Sequence, residues 1–167
     1  STAIPFTRLV TTPIHPGIQI GTEFTYKESE HFRLFQTVNL SYYFHAQLNH
    51  GISVNTELGG EYLTNSRFSF GALIGVGYLH TFATTKEYVF EDGHYTIATD
   101  KGNARIAPSL SLDVNYRINK IEPTSPKIFV RYQSWIEYPY SPGFIPLMSH
   151  INLHIGAKFN LPLNTGK

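Results

Sequence analysis

No cysteine occurs in the chain, which excludes disulfide frameworks, thiolate chemistry and lipidation at an N-terminal Cys. No stretch approaches the ~20 consecutive apolar residues that a membrane helix requires. Charged residues are scarce, 15% of 167, where a soluble domain carries about 25%. The net charge of +1 gives no basis for gripping a phosphate backbone, so no nucleic-acid partner is expected. The chain opens at Ser1 with no apolar leader, so a mature form is expected, its signal peptide removed. The length fits a single domain over 1–167.

What the chain has in abundance is alternation. Even positions from Ile106 to Ile118 read Ile106, Pro108, Leu110, Leu112, Val114, Tyr116 and Ile118. The odd positions between them read Ala107, Ser109, Ser111, Asp113, Asn115 and Arg117. Side chains alternate between the faces of a strand, so this segment has one apolar and one polar face. Its length suits a tilted strand crossing a bilayer, for which roughly 9–11 residues suffice. Six further segments repeat the pattern, at 17–27, 33–45, 51–63, 68–82, 127–137 and 150–161. In the second of these, Gln36 is the one polar intruder on the apolar face.

None of the quoted apolar positions is Asp, Glu, Lys, Arg or His. A Lys or Arg at the midplane of a lipid-facing strand costs about 2–4 kcal/mol, so lipid exposure demands this absence. The charges fall on the other face, with Glu23, Glu57, Glu61, Asp113 and Glu137 opposed to Arg105, Arg117, Arg131 and Lys158. Gly21, Gly59, Gly71, Gly75, Gly77 and Gly156 share that face. An eight-stranded barrel has an interior just wide enough for its own side chains. The small polar set therefore belongs inside and the bulky apolar set outside. The expected fold is all-β: a transmembrane antiparallel up-and-down β-barrel of eight strands with a filled polar interior.

Seven segments leave one strand to find. Residues 4–12 are the best candidate, although Arg8 and Leu9 spoil the alternation of Ile4, Phe6 and Val10. The span 1–16 is accordingly an N-terminal strand or a tail. Eight strands put both termini on the periplasmic side, with short turns there and longer loops outside. The longest insert, 83–103, becomes an extracellular hairpin loop, its turn at Asp92-Gly93. Tyr26, Tyr62, Phe68, Tyr116 and Phe159 then fall at periplasmic strand ends, and Tyr42, Phe44 and Tyr78 at outer ends. Rings of this kind favour headgroup depth, so two aromatic belts are expected. Pro108 lacks a ladder donor and is expected near the outer rim, at a bulge.

This pattern resembles the small eight-stranded outer-membrane barrels of Gram-negative bacteria and is similar to the membrane domain of outer membrane protein A. The resemblance covers residues 17–161. The segment His150-Ile-Asn-Leu-His-Ile-Gly-Ala-Lys-Phe159 resembles the C-terminal strand signal of that class, from which the tail 160–167 departs. The aromatic-rich loops look like those of Bacteroidota barrels. The resemblance implies the bacterial outer membrane, contact with its lipid and lipopolysaccharide, no cofactor, and a structural, accessory or binding role beside another outer-membrane or periplasmic protein. The alternative it implies is a lipid A-modifying enzyme. Lipid A deacylases carry Arg-x-x-His-x-Ser, whereas Arg131-Tyr-Gln-Ser-Trp-Ile-Glu137 offers Ser134 with no His at the base position. No catalytic residue is assigned.

Three candidate features remain. Glu23, Glu57, Glu61, Asp113, Arg117, Arg131, Glu137 and Lys158 are expected to form an interior charge network, because unpaired buried charges are costly. His45, His150 and His154 share the inward parity near one rim and are the only candidate metal ligands; they lack a recognised ligand spacing, so no metal is assigned. Tyr138, Tyr140 and Phe144, stiffened by three prolines, join Tyr88, Phe90 and Tyr95 of the hairpin loop as an expected binding surface. The competing expectation for that loop is a lid over the barrel mouth.

Overall fold

A computed structural model describes residues 16–44, 49–83, 88–91, 93–97, 102–119, 122, 125–140 and 146–160. Among them are β1 (Gly17–Glu28), β2 (Phe32–Phe44), β3 (Asn49–Leu63), β4 (Phe68–Ala83), β5 (Tyr88–Glu91), β6 (His94–Ile97), β7 (Asn103–Arg117), β8 (Lys127–Glu137) and β9 (Met148–Lys158). Each of the seven alternating segments is a strand. The short β5 and β6 pair as an antiparallel ribbon beside Gly93, whose φ of 82° is open to glycine without steric cost. The expected strand at 4–12, His45, Phe144 and the tail beyond 160 lie outside the described residues, as do the side chains of Tyr88, Phe90 and Tyr95.

The seven long strands form one sheet in the order β1-β2-β3-β4-β7-β8-β9. Every neighbouring pair is antiparallel. The ribbon is an insertion between β4 and β7, which remain sheet neighbours. Connections at 29–31, 64–67 and 118–126 gather at one end of the sheet, the turn end. Those at 45–48, 84–102 and 138–147 gather at the other, the loop end. Among the described residues no ladder joins β1 to β9, so the hydrogen-bonded sheet is not closed and has two edges.

Register is regular except between Thr25 and Lys27, where β1 bulges. The expected bulge at Pro108 is absent. Ile106 and Tyr138 exchange two backbone hydrogen bonds of 2.7 and 2.9 Å, and the same offset resumes at Ser109↔Trp135. An antiparallel ladder alternates bonded and non-bonded pairs. The missing donor of Pro108 therefore falls opposite Ile136, where the ladder to β8 lapses with no extra residue.

Burial is inverted relative to a soluble domain. Phe35, Leu73 and Leu79 are the only buried hydrophobics among the described residues. Ile18, Ile74 and Ile155 are 73%, 66% and 74% exposed, whereas Glu57 and Glu61 are 0% exposed. Strand parity explains both sets, because one face of every long strand is apolar and the other polar. The polar face is covered by its own far side. Glu57 of β3 meets Arg131 of β8, three strands further along the sheet, and Lys158 of β9 reaches Glu23 of β1 across the two edges. A sheet makes such contacts only by coiling around on itself.

The enclosed space is small, which is where the glycines matter. A Cβ on Gly59 would stand 2.7 Å from both the Leu73 and Phe35 side chains. Such overlap is beyond what a packed interior tolerates. Gly156 lies opposite Phe129, whose ring occupies the volume a Cβ would need, at 2.8 Å.

Candidate functional site

The enclosed face carries an ion-pair chain that alternates in sign along its whole length. Lys127 of β8 contacts Glu61 of β3 at 3.5 Å. Glu61 accepts from Arg33 Nε of β2 at 2.7 Å, and Arg33 also pairs with Glu23 of β1. Glu23 meets Lys158 of β9 at 3.3 Å, and Lys158 meets Asp113 of β7 at 3.4 Å. Arg131 of β8 grips Asp113 with two nitrogens, at 2.6 and 2.8 Å, and donates to Glu57 of β3 at 2.6 Å. Four cations and four carboxylates are thereby linked, and their charges cancel.

Polar neighbours satisfy the remaining lone pairs. Glu57 accepts from Ser111 at 2.6 Å, Gln133 at 3.0 Å and Ser109 at 3.2 Å. Glu61 accepts from Asn115 at 3.1 Å and from Ser69. Lys158 is further held between two aromatic faces, 5.5 Å from the Phe35 ring centre and 5.2 Å from that of Phe129. A buried charge is tolerated when paired and fully hydrogen-bonded. Glu57 meets that condition with an arginine and three neutral donors.

A second cluster sits at the loop end. Glu137, 2% exposed, pairs with Arg105 and accepts a hydrogen bond at 2.9 Å from His150 Nε2. The His150 ring stacks on Trp135 with centroids 4.1 Å apart and planes 15° apart. The guanidinium of Arg105 lies 5.3 Å from the Tyr140 ring centre. Tyr140 thus lies against this loop-end cluster. Tyr138 is half-exposed beside it.

The expected site residues therefore divide. Glu23, Glu57, Glu61, Asp113, Arg131 and Lys158 are joined in one chain, while Glu137 belongs to the loop-end cluster. Arg117 faces the turn end and has no carboxylate within ion-pair distance among the described residues. Arg33 and Lys127 were not expected. Both stand at the first or second position of a strand, where parity is hardest to assign. The signal was their odd numbering, shared with Thr37 and Asn39 in β2 and with Arg131 and Gln133 in β8.

His154 Nε2 lies 3.2 Å from Gln133 Oε1, so His150 and His154 take protein partners. Among the described residues no three His, Cys, Asp or Glu side chains converge in a metal-binding group. Ser134 lies opposite Leu110 and Ile151, on the face away from the charges. Ser149 and His150, being adjacent on β9, point to opposite faces.

The outer face is just as ordered. The polar intruder Gln36 donates to Thr56 Oγ1 at 2.7 Å and accepts from Tyr26, and Thr56 donates to the Thr37 carbonyl at 2.9 Å. This small cluster satisfies itself without solvent. Rings gather toward both ends: Phe68 with Tyr116 at 5.1 Å near the turn end, and His50 with Phe82 at 5.4 Å near the loop end. Lys27 is the only Asp, Glu, Lys or Arg of the long strands in outward register, and the β1 bulge puts it at the rim. No protein-family model, curated protein or solved structure matches this chain.

Proposed function

We propose that the chain is an eight-stranded β-barrel of a bacterial outer membrane, non-enzymatic, with a structural, accessory or binding role as a partner in a larger envelope complex. The observation that carries the reading is the inverted burial. Large apolar side chains cover the outer face, and the carboxylates and guanidinium groups are enclosed. In water such a surface is an aggregation hazard, whereas in hydrocarbon it is the stable arrangement. Aromatic rings near both ends, and a bulge that places Lys27 at the rim, support the same reading.

Strand direction supports an eighth strand. With seven strands, β1 and β9 both run from the loop end to the turn end, so direct pairing between them is parallel. Up-and-down barrels close antiparallel, with an even strand number. A strand at 4–12 entering β1 through 13–16 runs opposite to both edges. The Lys158–Glu23 contact supports this closure by holding the edges within side-chain reach.

The described interior favours support over catalysis. Its carboxylates are saturated with partners, and its inward histidines contact Glu137, Trp135 and Gln133. Cell fractionation with detergent extraction tests the assignment. The protein is expected in the outer-membrane fraction, soluble only with detergent, and shifting in electrophoretic mobility on boiling. A monodisperse species in detergent-free buffer overturns it. Pull-down from native membranes then identifies the partner, and an unchanged lipid A acyl composition on deletion is the expected result.

A further inference from the structure

The ion-pair chain balances without Arg117, and that surplus has a definite setting. Arg117 of β7 lies directly opposite Lys127 of β8, which lies directly opposite Lys158 of β9. On its other side the Arg117 N–H donates to the Arg67 carbonyl at 2.9 Å, extending the β4–β7 register past Phe68↔Tyr116. Four cations therefore stand in a row across neighbouring strands at the turn end. Like charges directly opposite one another destabilise a sheet.

Two of the four are compensated, Lys158 by Glu23 and Asp113, and Lys127 by Glu61. Arg67 and Arg117 have no carboxylate within ion-pair distance among the described residues. Arg67 gives one guanidinium nitrogen to the Tyr116 hydroxyl at 3.1 Å, which leaves most of its five N–H donors. Arg67, Arg117 and Lys127 line one cavity of about 280 Å³, with Glu28 and Glu30 also on its wall.

We propose that this cavity is an oxyanion site of the phosphate class, centred on Arg117 and completed by Arg67 and Lys127. An anion between the two guanidinium groups converts a repulsive row into an attractive one. A guanidinium fork matches an oxyanion two oxygens at a time. Phosphate offers enough oxygens for the three cations that line the cavity, whereas one carboxylate is saturated by a single fork. Glu28 and Glu30 repel an anion from their side, which confines the site to a compact group. The site does not depend on the membrane reading, since the register and the cavity are the same whichever compartment they face.

Calorimetric titration of the folded full-length chain with inorganic phosphate, at ionic strength held constant with chloride, tests the proposal. Saturable binding at one site is expected, with a thermal midpoint that rises with phosphate. Arg117→Gln weakens binding about tenfold or more, since a hydrogen bond to a charged group is of that size. Arg117→Lys, which keeps the charge and loses the fork, also weakens it. Without phosphate, Arg117→Gln unfolds at the same or a higher temperature, because it relieves the row. Phosphoethanolamine binding more tightly than inorganic phosphate assigns the source to a headgroup, and equal binding to the free anion. Absence of saturable binding, or an affinity in both Arg117 variants equal to that of the unmutated chain, overturns the proposal.

Discussion

Arg131 is the residue on which the interior turns. It is 3% exposed and holds Asp113 and Glu57 together, each at 2.6 Å. Arg131→Met leaves Glu57 without a cation and Asp113 with Lys158 alone, and loss of one partner of a buried pair costs about 3–5 kcal/mol. Urea unfolding in lipid vesicles should show a drop of that size. Adding Asp113→Asn and Glu57→Gln to Arg131→Met should recover part of it. Gly59 makes the complementary case of volume. Gly59→Val drives a Cβ into Phe35 and Leu73 and should lower the folded fraction, and Phe35→Ala in the same chain should restore part of it, the Leu73 contact remaining. Sequence parity alone put these charges on one face. It could not say that Arg131 chooses Asp113 and Glu57, because that choice is made between strands distant in the chain. Nor could it see that Arg117 stands apart. Its lack of a carboxylate among the described residues follows from register with Arg67 and Lys127, and register is a property of strand pairs.

Elements differ in how much the rest of the molecule depends on them. The β5–β6 ribbon pairs only with itself and hangs between β4 and β7, which are already in register along 68–81. Deleting 88–97 should leave the boiling-dependent mobility shift intact, as read on an unheated gel. Among the described residues the edges of β1 and β9 have no ladder partner, and an open edge invites association. Deleting residues 1–12 should therefore abolish the mobility shift and yield aggregates. Persistence of the shift would refute closure by that segment. The seven long strands were legible, because period-two alternation is a local signal. The bulge expected at Pro108 is absent for a related reason: a proline breaks one hydrogen bond, and whether the chain adds a residue there depends on both partners.

At the scale of the whole molecule the question is what bathes the outer face. Ile74 lies midway along β4, 66% exposed and pointing outward. In a bilayer, Ile74→Arg should cost about 2–4 kcal/mol; on a water-facing surface such a change is within about 0.5 kcal/mol. Urea titration of the vesicle-inserted protein reads the difference directly. The sequence by itself determined the strands, their two faces and the sorting of charge from apolar bulk, since alternation needs only the geometry of one extended chain. The tertiary structure decided which acid meets which base, which cations are left without one among the described residues, and how closely the two edges approach. Those outcomes depend on register and coiling, which bring together residues far apart along the chain and leave no local trace.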